Sequence, residues 1–501
     1  MAEKMHSVVI IGTGFGAISA AIALQKRNII DFVMLERRSF AGGTWLQNAY
    51  PGAAVDVQSP LYSISGEPYP WSHLFAKQNE LADYTESLIA KFLLSKHIRL
   101  NSEVIESRWQ HNHWQVTTAD KQVLQAKIVI NATGPLSTPV IPDFKGLDKF
   151  EGQHFHTNDW QHDVDIAGKT VAVIGSGASA VQVIPAIVEK VKKLHVVQRT
   201  PHWLLSRLDW AFPSWLAKIL AFKPLYTLIR WCIYWSLELR VIAFKYSPFL
   251  LKMLGYYPAM RHLKKQVGDP ELRQKLTPDF TIGCKRIIVS NTYYPALQHR
   301  NTVLHDANDS LQHFTKTGIV FEHSGEQAID VVVFATGYDA ADSMISYSVI
   351  GKGGVSLQEQ WQDFPRAYLG TTMPNFPNYF VVTGPNTGIG HTSAIFVIES
   401  QMKYIMQCIE KIQDEKLQSI EPTIQAEQDY TQMVHEEMEK TVWKTGGCSS
   451  WYQNKQGKVI AMFPGFSFVY RQMCKKFKDK HHVFVLQNST PEQPTSKKTA
   501  G

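Results

Sequence analysis

Cysteine is scarce in this 501-residue chain, and the little there is excludes several chemistries. The five residues, Cys232, Cys284, Cys408, Cys448 and Cys474, are odd in number, far apart and never spaced as CxxC. That pattern argues against a disulfide scaffold, a zinc cluster and a dithiol redox centre, and it suits a reducing cytosol. Long apolar runs are missing too. No uncharged stretch reaches the roughly 18 residues of a spanning helix, so none is predicted. Charge of one sign is also in short supply. The 51 Lys+Arg against 44 Asp+Glu leave +7, too small an excess for a dedicated nucleic-acid binder. No repeat of solenoid period is visible.

What is present fits a globular chain of two or three domains, since 44% of residues are hydrophobic and 19% charged. The start, MAEKMHSVVIIGTGFGAISAAIAL, has the charged head and apolar run of a signal peptide. Its glycines instead fall at the spacing of a nucleotide-binding turn, and no small-residue cleavage site precedes folded-looking sequence, so a cytoplasmic location is expected.

Residues Ser7 to Ile11 read as a buried parallel strand, followed at once by Gly12-Thr13-Gly14-Phe15-Gly16-Ala17 and a helix rich in Ala and Ile. In this GxGxxA turn, Gly12 permits the tight bend, Gly14 lets backbone approach a pyrophosphate, and Ala17 keeps helix and strand close. A second strand, Phe32 to Leu35, ends in Glu36, placed to accept from ribose hydroxyls. The pattern returns at Val171 to Ile174 with Gly175-Ser176-Gly177-Ala178-Ser179-Ala180. Gly12 to Glu36 is 24 positions and Gly175 to Arg199 is also 24, so the second unit carries a cation, next to Thr200, where the first carries an acid. A carboxylate repels a 2′-phosphate and a guanidinium pairs with it, which predicts FAD at the first site and NADPH at the second.

Two further strands lead into small-residue turns, Lys127 to Ile130 into Asn131-Ala132-Thr133-Gly134 and Asp330 to Phe334 into Ala335-Thr336-Gly337. These turns resemble the crossings between the two nucleotide domains of flavoproteins. The expected architecture is α/β with two Rossmann-like dinucleotide-binding domains, the NADP domain inserted in the FAD domain. The FAD part takes 1–160 and 325–490, the NADP part 161–324 with a helical insertion at about 205–280, and 491–501 form a disordered tail.

Between the glycine turns stands Phe150-Glu-Gly152-Gln-His-Phe-His156-Thr-Asn-Asp-Trp160, an FxGxxxHxxxW pattern. With both GxGxxA turns it resembles the Baeyer-Villiger monooxygenases from Val8 to about Phe468; the family prefers Pro or Asp after the Trp, where this chain has Gln161. The resemblance implies an NADPH- and FAD-dependent enzyme that uses O2 to insert oxygen beside a ketone carbonyl through a C4a-peroxyflavin, acting on a small hydrophobic ketone or sulfide. It implies for His156 a role in coordinating domain movement. No carboxylate or Cys spacing completes a metal site with His154, His156 and His162, and no metal is expected.

Gly42-Gly43-Thr44-Trp45, Tyr50-Pro51-Gly52 and Asp56-Val57 resemble the family segment along the flavin. Lys285-Arg286 resembles the pair whose Lys meets the NADP phosphate and whose Arg meets the flavin. A fixed guanidinium stabilises a peroxide anion and then the oxyanion of its ketone adduct, and Asp56 would orient Arg286. Phe380 to Gly388, with Gly384-Pro385-Asn386, looks like a returning strand and a flavin-contacting loop. An oxygenase of amines or sulfides would use the same cofactors without needing Arg286. An electron-transfer reductase driven by a pyridine nucleotide would share both turns, and the missing CxxC removes only its disulfide branch.

Residues 205–265 hold four tryptophans, ten Lys/Arg and only Asp209 and Glu238 as acids. Two readings stay open: a helical lid that buries its apolar stripe over the active site, or an interfacial segment in peripheral contact with the inner face of a membrane.

Overall fold

The computed structural model describes residues 4–220, 222–339 and 344–487. The expected tail, 491–501, lies outside these described residues. Two sheets organise the chain. The first has eight strands, with a parallel centre in which Met5–Ile11 lies between Phe32–Leu35 and Val123–Asn131, Val8 opposite both Phe32 and Ile128. Tyr379–Val381 returns late in the chain to pair in parallel with the end of Val123–Asn131. The second sheet has five parallel strands in the order Thr302–His305, Lys193–Val197, Thr170–Ile174, Val331–Phe334 and Gln153–His156. Its central strands are continuous apolar runs because helices and other strands cover both faces.

The duplicated pattern becomes duplicated geometry. Gly12 has φ +106° and a Cβ there would lie 2.6 Å from the carbonyl oxygen of Ala132. Gly175 has φ +132° and a Cβ there would lie 2.3 Å from the carbonyl oxygen of Ala335. In each unit the glycine turn is therefore pressed against the first residue of the Ala-Thr-Gly turn on the neighbouring strand, and only glycine fits. Ala17 and Ala180 are fully buried where helices Phe15–Gln25 and Ala178–Ile187 pack on their strands.

The division between the units is displaced from 160/161 and 324/325. Gln153–His156 and Val331–Phe334, expected on the FAD side of those boundaries, pair with each other and with Thr170–Ile174 in the second sheet. The chain changes sheets after Asn131 and again after Phe334, where the two Ala-Thr-Gly turns stand. This also explains the fingerprint's Phe150 and Gly152. A Cβ on Gly152 would meet the Phe150 ring at 2.3 Å and the Asp330 carbonyl oxygen at 2.8 Å, so the bare glycine seats the phenyl ring at the edge of the second sheet.

Between Lys193–Val197 and Thr302–His305 the chain runs through helices Ser214–Leu220, Lys223–Glu238, Pro248–Leu251, Tyr257–Gln266 and Pro270–Lys275. Helix Lys223–Glu238 leaves its own sheet and packs Tyr226, Tyr234 and Leu237 against Leu61, Phe396 and the core of the first unit. It thereby roofs the space between the two sheets. Among the described residues no helix is long and apolar enough to cross a membrane.

Candidate active site

Two cavities meet at Thr44 and Trp45. The first is lined by the turn Gly12 to Gly16, by Glu36, by Gly43 to Trp45 and by Gly134, bringing together segments far apart in sequence. A Cβ on Gly43 would lie 2.6 Å from Gly14 Cα, so the two glycines leave a backbone cradle beside the helix N-terminus. Glu36 is buried, accepts from Thr13 Oγ1 at 2.5 Å and from the Arg38 N–H at 3.1 Å, and has no cation paired with it among the described residues. A buried carboxylate with spare lone pairs beside a glycine cradle fits the ribose and pyrophosphate of FAD.

The second cavity, of ≈ 1460 Å³, is lined by Gly175, Gly177, Arg199, Thr200, Lys285 and Gly337 at one side. Ser176 Oγ donates to the Thr200 carbonyl at 2.6 Å, tying the glycine turn to the end of the strand that carries Arg199. Arg199 is exposed and unpaired among the described residues. Burial first, and then repulsion from Arg199, lowers Lys285 below the ordinary lysine value. Two cations facing one space, neither in a salt bridge among the described residues, fit the 2′-phosphate of NADPH, which would relieve their repulsion.

Further into the same cavity Arg286 Nη2 meets Asp56 Oδ2 at 3.1 Å. Asp56 is nearly closed off, while Arg286 keeps 44% of its side-chain surface open to the cavity. Burial works against the guanidinium's charge, but the Asp56 carboxylate outweighs it and holds the group above the ordinary arginine value. Asp56 Oδ1 is buried without a partner. The result is a permanently cationic group, held from behind by a carboxylate and bare toward the cavity.

His156 lies in neither cavity lining. It ends the edge strand of the second sheet, opposite Phe334, and its Nδ1 accepts from the Asn158 N–H at 3.0 Å. Asn158 Nδ2 donates to the Tyr338 hydroxyl at 3.2 Å, and that hydroxyl donates to Asn48 Oδ1 at 2.7 Å in the first unit. The fingerprint thus sits on a hydrogen-bonded joint between the two units, with Trp160 packed edge-on against Phe155.

Three sequence expectations need correction or addition. Asn386, expected at the flavin, lines neither cavity: its Nδ2 donates to the Val459 and Met462 carbonyls, at 3.2 and 3.0 Å, so its side-chain amide holds the loop. The cysteines do not all stay free, because Cys284 and Cys448 form a disulfide. Their separation of 164 residues hid the pairing, and one support for the reducing-cytosol reading goes with it. The bond ties Lys285-Arg286 to the loop that carries Tyr452 into the cavity.

The third is a buried pair the motifs did not signal. His391, on the cavity wall, bonds through Nε2 to Glu238 Oε2 at 3.1 Å, both side chains wholly enclosed. Burial alone would raise Glu238, but hydrogen bonds from His391, Ser467 Oγ and the Phe468 N–H bring it below the ordinary glutamate value.

Comparison with known proteins agrees with this geometry. Residues 9–216 match the pyridine nucleotide-disulphide oxidoreductase family. A Baeyer-Villiger monooxygenase of Pseudomonas aeruginosa is 39% identical over 481 residues, covering 95% of this chain and 91% of the relative. Cyclohexanone monooxygenase from Rhodococcus sp. Phi1, solved bound to NADP+, superimposes with a TM-score of 0.86 at 27% identity, over 97% of this chain and 100% of that one. OTEMO, solved as a complex with FAD and NADP, gives a TM-score of 0.85 at 26% identity, over 94% and 97%. The chain belongs to the Baeyer-Villiger monooxygenases, FAD- and NADPH-dependent enzymes built on two Rossmann-like domains.

Proposed function

We propose that this enzyme inserts one atom of O2 beside the carbonyl of a small hydrophobic ketone, giving an ester or lactone, while the other atom leaves as water and NADPH supplies the two electrons. The observation that carries the reading is the Arg286–Asp56 pair facing the larger cavity between the two nucleotide sites. Bound FAD, reduced by NADPH, supplies the activation of O2. The protein supplies position and charge.

Gly12, Gly14 and Glu36 hold the FAD pyrophosphate and ribose, with Gly43, Thr44, Trp45 and Gly134 against the rest of that cofactor. Gly175, Gly177, Gly337 and Thr200 bound the NADPH site, and Arg199 with Lys285 takes its 2′-phosphate. Arg286 is placed to stabilise negative charge that develops on oxygen as it bonds to the carbonyl carbon. Because the guanidinium is fixed beforehand by Asp56, no reorganisation is needed at that moment. The tyrosine, leucine and isoleucine side chains around it keep the site apolar, which strengthens that interaction. The two units exchange chain at Ala132–Gly134 and Ala335–Gly337, and the His156 joint coordinates them.

The test is NADPH oxidation by the FAD-loaded enzyme with a panel of linear, cyclic and aryl ketones beside sulfides, following hydrogen peroxide and products together. Ester or lactone matching NADPH consumed is expected. Sulfoxide as the sole oxygenated product would assign the cavity to heteroatom chemistry, and peroxide alone would overturn the reading.

A further inference from the structure

Helix Lys223–Glu238 carries apolar side chains on both faces. Its buried face holds Tyr226, Tyr234 and Leu237 together with Arg230 and Glu238, whose polar groups are satisfied by the first unit. Arg230 donates to the Leu61 carbonyl at 3.2 Å and pairs with Glu399 at 3.2 Å, and the Tyr226 hydroxyl meets Ser63 Oγ at 2.7 Å. Its outward stripe is Leu228, Trp231, Trp235 and Leu239, at spacings of three, four and four, between 40% and 59% exposed. A helix whose outer face meets only water carries polar side chains there.

The stripe lies in a segment dense with exposed apolar side chains. Of the 26 large hydrophobic side chains exposed among the described residues, 16 lie in 208–257, which is about a tenth of the chain. Concentration on that scale marks a contact surface rather than scatter. Exposed cations of 205–265, including Lys223, Lys252, Arg261, Lys264 and Lys265, have no carboxylate partner among the described residues. Both acids of 205–265 are turned away. Glu238 is buried with His391, and Asp209 pairs with Arg207 and accepts from the Phe75 N–H. Leu208, Leu239 and Leu254 are each more than half exposed and also line the larger cavity, so this face reaches the cavity mouth.

We propose that this face lies in the plane of an anionic lipid bilayer, with its aromatics at headgroup depth and its lysines on the phosphates, and that apolar substrate passes from the leaflet past Leu208, Leu239 and Leu254 toward Arg286. Tryptophan, tyrosine and lysine around an aliphatic stripe, with free acids removed, match the chemistry of that boundary. The passage of substrate rests on the ketone reading above. The docking does not.

The test uses FAD-loaded full-length enzyme sedimented with phosphatidylcholine vesicles or with vesicles also holding about 30% phosphatidylglycerol. Binding to the anionic vesicles should exceed binding to the neutral ones by roughly tenfold at 0.1 M salt and fall sharply at 1 M, where the Debye length drops from about 10 Å to about 3 Å. Phe222→Ser with Phe249→Ser, and separately Lys264→Glu with Lys265→Glu, should each weaken anionic-vesicle binding by about fivefold or more while sparing turnover of a water-soluble ketone, since none of the four lines the cavity. No binding to anionic vesicles at low salt overturns the proposal, as does binding that both double variants retain. A dimer in sedimentation velocity that dissociates in Phe222→Ser with Phe249→Ser would assign the face to a second copy and also overturn it. Vesicle binding without ester formation would leave the docking standing and remove the ketone reading.

Discussion

Arg286 Nη2 stands 3.1 Å from Asp56 Oδ2, although the two residues lie 230 positions apart and come from different units of the fold. The carboxylate fixes the guanidinium's orientation, and the guanidinium lowers the cost of enclosing the carboxylate.

Removing the cation should separate binding from chemistry. Arg286→Ala is expected to retain FAD and fold, while ester formation falls by about a hundredfold or more, the scale for losing a preorganised oxyanion stabiliser. Asp56→Asn keeps the shape and loses the charge, so its loss should be smaller. Coupled product and NADPH measurements check both. Undiminished ester from Arg286→Ala would show that another group carries the role.

We propose that Arg199 and Lys285, which line one cavity with no carboxylate in salt-bridge contact with either among the described residues, set the coenzyme choice. Arg199→Ala should lower the ratio of kcat/KM for NADPH over NADH by roughly tenfold or more, as expected for losing one charge-assisted contact of about 1.5–3 kcal/mol, with Lys285 retaining part of the preference. Equal use of both coenzymes by the unaltered enzyme would remove Arg199 from the phosphate site.

Both nucleotide turns were legible because their information is local: a buried strand, glycines at fixed offsets and a charged residue 24 positions on are written within one stretch of chain. Long-range partnerships were not. Glu238 reads as one acid in an apolar helix, and only the packing of that helix brings it to His391, 153 residues later. Cys284 and Cys448 escape spacing rules for the same reason. Gly384-Pro385-Asn386 was recognisable as a turn, but the carbonyls that consume the Asn386 amide lie 73 and 76 residues on. In 205–265 the composition was plain, whereas the direction in which Arg230 and Tyr226 face is set by Glu399 and Ser63.

The Cys284–Cys448 bond joins the loop bearing Arg286 to the loop bearing Tyr452, and a Cβ on Gly446 would lie 2.6 Å from Cys284 Cβ. Closing so long a loop constrains the unfolded chain, and loss of a native disulfide typically costs about 2–5 kcal/mol. A reductant should therefore lower the melting temperature of the unaltered enzyme. Cys284→Ser should melt at the lower temperature whether or not reductant is present. Identical melts of the unaltered enzyme in both conditions would show that the bond does not contribute.

His156 makes stability depend on pH in a definite direction. It is enclosed, and burial pushes its imidazole from 6.5 down to about 4, consistent with an Nδ1 lone pair that accepts the Asn158 N–H and would confront it if protonated. In the unfolded chain the ring takes its proton near pH 6.5, so between that value and about 4 the unfolded state binds one proton more than the folded state. Stability from keeping His156 neutral is thus complete above about pH 6.5 and is lost as the pH falls toward 4, by at most about 3 kcal/mol. His156→Asn should shift the absolute stability through the lost joint, but the informative readout is the slope. Denaturant unfolding at pH 7, 6 and 5 should show a shallower decline in the variant, approaching about 1.4 kcal/mol less per pH unit. Other buried histidines, such as His195 and His482, contribute equally to both proteins and cancel. Parallel stability curves would mean that His156 takes its proton equally well folded and unfolded.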